Sequence, residues 1–256
     1  MKKPYKNITL DVADKIAVLT FNRPERLNAM NREMMEEIID GIQKVNTNQE
    51  AQVALIRGNG RAFMAGADIK EYGSQTPEQF KAFQDRGIAL YAAIENAPQP
   101  WLAAINGFAL GGGFEIALAC DMILASETAK MGLPEVFLSL VPGGGGTQRL
   151  IQKMGINRAK EMLFTGGRYP AQTLREWGVV NHVFPEGEFE STVMEYAAKL
   201  ARRPFTALKE LKRLAQLSLL SLPFDQKIAE EGQTVSRLFH GEEAKKAIQD
   251  FIDKSN

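Results

Sequence analysis

Residues 106–126, NGFALGGGFEIALACDMILAS, decide the fold class. An apolar run, Trp101–Ile105, enters this stretch and stops at Asn106-Gly107, as a strand running into a turn does. Gly111-Gly112-Gly113 then precede a helix expected over Phe114–Cys120, and Met122–Ala125 reads as the next strand. Strand, glycine loop, helix and strand in under thirty residues is the unit of an α/β core.

Upstream, the same order recurs. Ile16–Phe21 alternates branched apolar with small residues and ends at Asn22-Arg23-Pro24, a strand closed by a turn. Asn31 is placed to cap a helix whose apolar face is Met34, Ile38, Ile42 and Val45. Val53–Ile56 reads as a strand that runs into a glycine-spaced loop, Gly58–Asp68. Thr76-Pro77 is a cap-plus-first-turn signal for a helix carrying Phe80, Phe83 and Tyr91. No sequence repeat of fixed period is visible, so self-similarity does not support a solenoid of identical units.

Downstream of about residue 185 the pattern changes. Glu188–Ala201, Phe205–Ser218, Phe224–Phe239 and Glu242–Lys254 read as successive helices without an intervening strand. The chain is therefore expected to divide into an α/β core, 1–185, and a helical region, 186–256. An apolar stripe of Phe205, Leu208, Leu211 and Leu214-Ala215 marks a core or subunit contact there.

Composition excludes several classes. Lysine plus arginine and aspartate plus glutamate both number 31, so the broad positive field that nucleic-acid binding needs is missing. A single cysteine, Cys120, rules out an intrachain disulfide and sits in an apolar run as a buried, inert thiol. The basic start, MKKPYKNITLDV, leads into no apolar segment of a secretory signal, and no stretch reaches the ~20 apolar residues of a membrane span. A soluble, cytoplasmic protein with no membrane partner is expected. His182 is read as ending a strand and His240 as lying near a helix end, so neither metal cluster nor Ser–His pair is evident.

The glycines point to chemistry. Gly143–Gly146 is followed by Thr147-Gln148-Arg149, without the lysine of a phosphate loop, and no GxGxxG spacing fits around Gly111–Gly113. Either cluster serves as a tight turn or a close backbone approach. A glycine opening a helix also leaves its N–H unpaired at the positive end of the helix dipole, suited to a developing oxyanion. Glu115 follows Gly112 by three residues, on the same helical face, amid apolar neighbours. It is either a catalytic carboxylate or a partner of a nearby arginine or of its own helix end. Glu135 follows Leu133-Pro134 and is read as part of a rigid loop after the fourth strand. Two carboxylates in different surroundings can divide acid and base work, but spacing alone does not bring these two together.

The segments NRPERLNAM (22–30), AFMAGADIKE (62–71), NGFALGGGFEIALACDMILAS (106–126), GLPEVFLSLVPGGGGTQRL (132–150) and TGGRYPAQTLREWGVVNHV (165–183) together resemble the enoyl-CoA hydratase/isomerase (crotonase) family. The resemblance runs from about Asn7 to Lys254. It implies an α/β spiral of repeated β-β-α units with a carboxy-terminal helical region that mediates homotrimers, often paired into homohexamers. It also implies that Ala67 and Gly112 are the oxyanion-hole donors through their backbone N–H groups, and that Glu115 and Glu135 are the catalytic carboxylates.

Ala65, Asp68, Ile69 and Lys70 match the coenzyme A and pantetheine groove, and Leu27 and Ala29 the strip beside adenine. Phe239 and Lys254 match positions that approach coenzyme A, in some members from a neighbouring subunit. The implied substrate is an acyl-CoA thioester, and no cofactor is implied beyond the coenzyme A carried by that substrate. The implied reaction is syn addition of water across the C2=C3 bond of a 2-enoyl-CoA, with Glu115 activating water and Glu135 moving the proton at C2. Leu133 and Met64 depart from frequent family residues and are expected near the acyl pocket. Alternatives are a Δ3,Δ2-enoyl-CoA isomerase, a hydroxyacyl-CoA dehydratase or a non-catalytic binding protein; possession of both glutamates favours hydration.

Overall fold

In the computed structural model, which describes residues 5–255, β1 (Ile8–Ala13) and β2 (Ile16–Phe21) open the chain as an antiparallel pair. β2 is buried along its whole length, as a strand covered on both faces must be. The Asn31 side chain accepts from the Met34 N–H at 2.9 Å and starts α1 (Arg32–Thr47), whose Met34, Ile38, Ile42 and Val45 enter the core as its spacing predicts. β3 (Val53–Gly58) pairs parallel with β2.

The segment 58–68 then departs from the expected loop, because three buried residues form β4 (Ala62–Met64). After α2 (Ile69–Tyr72), Thr76 and Gln79 build a reciprocal capping box at the start of α3 (Pro77–Glu95). Next come β5 (Trp101–Ile105), β6 (Phe108–Leu110) and α4 (Gly112–Ala119), then β7 (Met122–Ser126) and β8 (Lys130–Gly132). α5 (Gly146–Met154), α6 (Ile156–Thr165), β9 (Tyr169–Pro170), α7 (Ala171–Glu176), β10 (His182–Phe184) and α8 (Phe189–Ala201) follow. His182 therefore begins a strand rather than ending one.

The strands sort into two sheets, ordered β1-β2-β3-β5-β7-β10 and β4-β6-β8-β9. Successive turns of chain place β3, β5 and β7 side by side and parallel in the first sheet. The same turns place β4, β6 and β8 side by side and parallel in the second. That is a spiral of β-β-α turns, although the sequence repeats nothing at a fixed period; what repeats is burial and hydrogen bonding. Each corner from one sheet to the next is tight. A Cβ on Gly58 or on Gly107 would collide with backbone of the Arg61–Phe63 segment, so both corners require glycine.

The chain divides into two compact units, up to Leu200 and from Ala201 onward. The second consists of α9 (Phe205–Leu217), α10 (Phe224–Phe239) and α11 (Glu242–Ser255). Of the expected apolar stripe on α9, Phe205, Leu208 and Leu214 are half-buried, whereas Leu211 stands exposed. No helix of the described residues is long and apolar enough to cross a membrane.

Candidate active site

The spiral brings the second-sheet turns to one cavity. Its wall includes Ala65, Gly66, Ala67 and Ile69 from the turn after β4, Gly111, Gly112 and Glu115 from the start of α4, and Pro134 and Glu135 from beyond β8. Apolar side chains of Met30, Met35, Phe83, Leu138, Leu140 and Val141 make up much of the remainder. Such a cavity, apolar with a few convergent polar groups, is the ordinary form of a small-molecule site.

Two residues of this wall carry unpaired backbone amides. Met30 forms a parallel bridge to Ala67, donating to the Gly66 carbonyl at 2.8 Å and accepting from the Asp68 N–H at 2.9 Å. In a parallel bridge the bridged residue's own N–H points away from its partner strand. Gly111 adopts φ +52°, open chiefly to glycine, and places Gly112 as the first residue of α4, where an N–H has no intrahelical acceptor. Among the described residues, nothing accepts from the N–H of Ala67 or of Gly112.

Glu115 is only 3% exposed, yet it is not stranded. Its Oε1 accepts from the Gly144 N–H and the Gly146 N–H, both at 2.8 Å. Among the described residues it neither pairs with an arginine nor caps its helix, the two structural readings of the sequence: Arg149 forms its ion pair with Glu95 instead, at 2.6 and 2.8 Å. Burial pushes the Glu115 carboxyl above the ordinary range. The Gly146 and Gly144 amides, the Arg149 charge and, most weakly, the nearby Tyr91 hydroxyl pull it back.

Glu135 lies on a 3-10 turn, Pro134–Leu138, after the eighth strand rather than on a loop after the fourth. Its Oε2 is buried and, among the described residues, has no hydrogen-bond partner. Burial raises its carboxyl to about 7; its own backbone amide opposes the rise and the neighbouring Glu115 charge adds to it. Gly111 makes room for it, because a Cβ there would stand 3.0 Å from Glu135 Oε1. The two carboxyls thus differ in surroundings: one is held by two backbone amides, the other is left largely unpaired.

The other sequence-predicted positions divide. Ala65 and Ile69 line the cavity with these four. The Ala65 N–H donates to the Leu27 carbonyl at 3.0 Å, so Leu27 and Ala29 run beside that wall, outside the cavity lining. Asp68 pairs with Arg23 at 3.3 Å, and Lys70 is exposed. Phe239 and Lys254 belong to the helical unit and are exposed there. Met64 and Leu133, expected near the acyl pocket, are fully buried and adjoin the lining residues Ala65 and Pro134: Met64 backs onto Gly113 and Leu133 onto Gly146.

Sequence reasoning passed over Tyr91, Gly144 and Gly146. A Cβ on Gly144 would collide with the Tyr91 ring, and one on Gly146 would lie 2.9 Å from Glu115 Oε1. Four glycines in succession were the available signal that backbone approaches side chains closely. A lone hydroxyl on the apolar face of α3 was the other, since a buried tyrosine hydroxyl needs a partner.

Scaffold and cavity together define an α/β protein whose site sets unpaired backbone amides beside two buried carboxyls. The family profile described as enoyl-CoA hydratase/isomerase matches residues 11–256. A short-chain-enoyl-CoA hydratase of Clostridium acetobutylicum is 35% identical over 97% of this chain and 95% of its own. A 2,3-dehydroadipyl-CoA hydratase of Escherichia coli is 34% identical over 94% and 93%. The crystal structure of an enoyl-CoA hydratase from Bacillus anthracis matches with a TM-score of 0.93 at 34% identity, covering 97% of each chain. The chain belongs to the enoyl-CoA hydratase/isomerase family.

Proposed function

We propose that the protein is an enoyl-CoA hydratase, adding water syn across the C2=C3 bond of a 2-enoyl-CoA. The observation that carries this reading is one apolar cavity lined by two unpaired amides, Ala67 and Gly112, and two buried glutamates, Glu115 and Glu135. Relatives named for hydration support it.

The thioester oxygen accepts from the Ala67 and Gly112 N–H groups, which stabilise negative charge as the enolate forms. Glu115, ionised with the help of its two backbone donors, takes a proton from water as the water attacks C3. Glu135, with the higher proton affinity, delivers its proton to C2. Two close carboxyls titrate as a pair, so the active form is the pair carrying one proton. The reading requires no cofactor beyond the coenzyme A of the substrate. Ala65, Asp68, Ile69 and Lys70 serve the pantetheine groove, and Leu27 and Ala29 the adenine strip. Phe239 and Lys254 approach coenzyme A from the helical region beyond residue 185, which also mediates trimers or hexamers, and the enzyme works in the cytoplasm.

The test is to mix the protein with crotonyl-CoA and follow loss of the conjugated thioester absorbance. Saturable loss with 3-hydroxybutyryl-CoA as product is expected. No loss, with a β,γ-enoyl or other acyl-CoA consumed instead, overturns the hydratase reading in favour of another reaction on the same enolate.

A further inference from the structure

Tyr91 on α3 is 4% exposed and lines the cavity beside Glu115. Its ring is packed by the Gly144 backbone, and its hydroxyl lies close to Gly112, where a Cβ would stand 3.5 Å from it. The Arg149 guanidinium sits 5.5 Å from the ring centroid and donates to the Gly144 carbonyl, while Glu95 holds that guanidinium bidentately. Ring and glycine backbone are therefore fixed by the same arginine. The hydroxyl is left in the same cavity wall as Gly112 and Glu115, whose charge acts on it.

The Gly144 and Gly146 amides both donate to Oε1. Two donors on one oxygen pin that atom but leave the carboxylate plane free to swing about it. We propose that Tyr91 is a positioning residue for Glu115, its hydroxyl supplying the third donor that sets the carboxylate plane for drawing a proton from the attacking water. This role rests on the hydratase reading. Burial, with the Glu115 charge, pushes the Tyr91 hydroxyl well above its ordinary range, so it stays a donor throughout the working pH range. The charged or titratable groups facing Glu115 are Tyr91 on α3, Arg149 on α5, Glu135 on the 3-10 turn and Tyr72 on α2.

Tyr91→Phe keeps the ring and removes only the hydroxyl. Its kcat on crotonyl-CoA should fall about tenfold, the rate equivalent of one lost hydrogen bond, with KM little changed. Because the lost donor favoured the ionised carboxylate, the acid limb of kcat/KM should move to higher pH. A carbon-13 titration of glutamate-labelled protein should show the Glu115 carboxyl moving the same way. A fall in kcat with limb and titration unmoved would reduce the hydroxyl to packing, and a change in KM alone would make it a substrate contact; either overturns the proposal. If the wild type leaves crotonyl-CoA untouched, the hydratase reading fails, and the carbon-13 titration still decides whether Tyr91 governs Glu115.

Discussion

Glu135 bears the sharpest pH consequence at the scale of single residues. Its folded value of about 7 lies above the ordinary 4.5, so the folded chain holds a proton there that the unfolded chain releases. The stability this contributes is fully present below about 4.5 and is lost as pH rises through about 7. In its proposed role as proton donor to C2 it would also set the alkaline side of hydration, so kcat/KM should decline above about 7. Glu135→Gln should remove that limb, since an amide has no proton to lose in this range, and lower the rate by ~10²–10⁴. A pH–rate profile of both proteins checks this; a limb that survives in Glu135→Gln would assign it to another group. Glu115 was legible as a candidate from its spacing to Gly112. That it meets Glu135 was not, because the meeting depends on β8 and a 3-10 turn, where the proline suggested only a loop.

Among the elements, α3 brings Phe83, Gln84, Gly87 and Tyr91 to the cavity from a single start. The start is the Thr76–Gln79 capping box. Thr76→Ala should cost about 1 kcal/mol, a fall in Tm of about 2–4 °C for a chain of this size, with hydration unchanged at 25 °C. Calorimetry beside the crotonyl-CoA assay measures both, and an unchanged Tm would show that tertiary packing alone sets the helix start. Caps of this kind were readable, as were β2 and β5, because each is a local pattern long enough to register. β4, β6 and β8 were not. Three residues carry no period, and what defines those strands is pairing with a turn of chain roughly 20–45 residues away.

Over the whole molecule, surface apolarity is the outstanding feature. In the helical unit Leu211, Phe224, Val235, Phe239 and Phe251 are each more than half exposed, and in the first unit so are Phe137, Val141 and Phe164. Exposed apolar side chains that gather into a contiguous patch mark an interaction surface. Light scattering should therefore return three or six times the 28.4 kDa of the chain at micromolar concentration. A monomer mass would leave those side chains without a covering partner and sink the assembly proposed for Phe239 and Lys254. The winding of the spiral has a consequence in time as well as in space. Ala67, Gly112 and Glu135 come from three successive turns, and the amides that steady Glu115 come later still. A ribosome releases these groups in that order, so a nascent chain owns both unpaired amides before it owns Glu135. The backbone support of Glu115 is complete only once the glycines of residues 143–146 have emerged and closed on a tyrosine made more than fifty residues earlier.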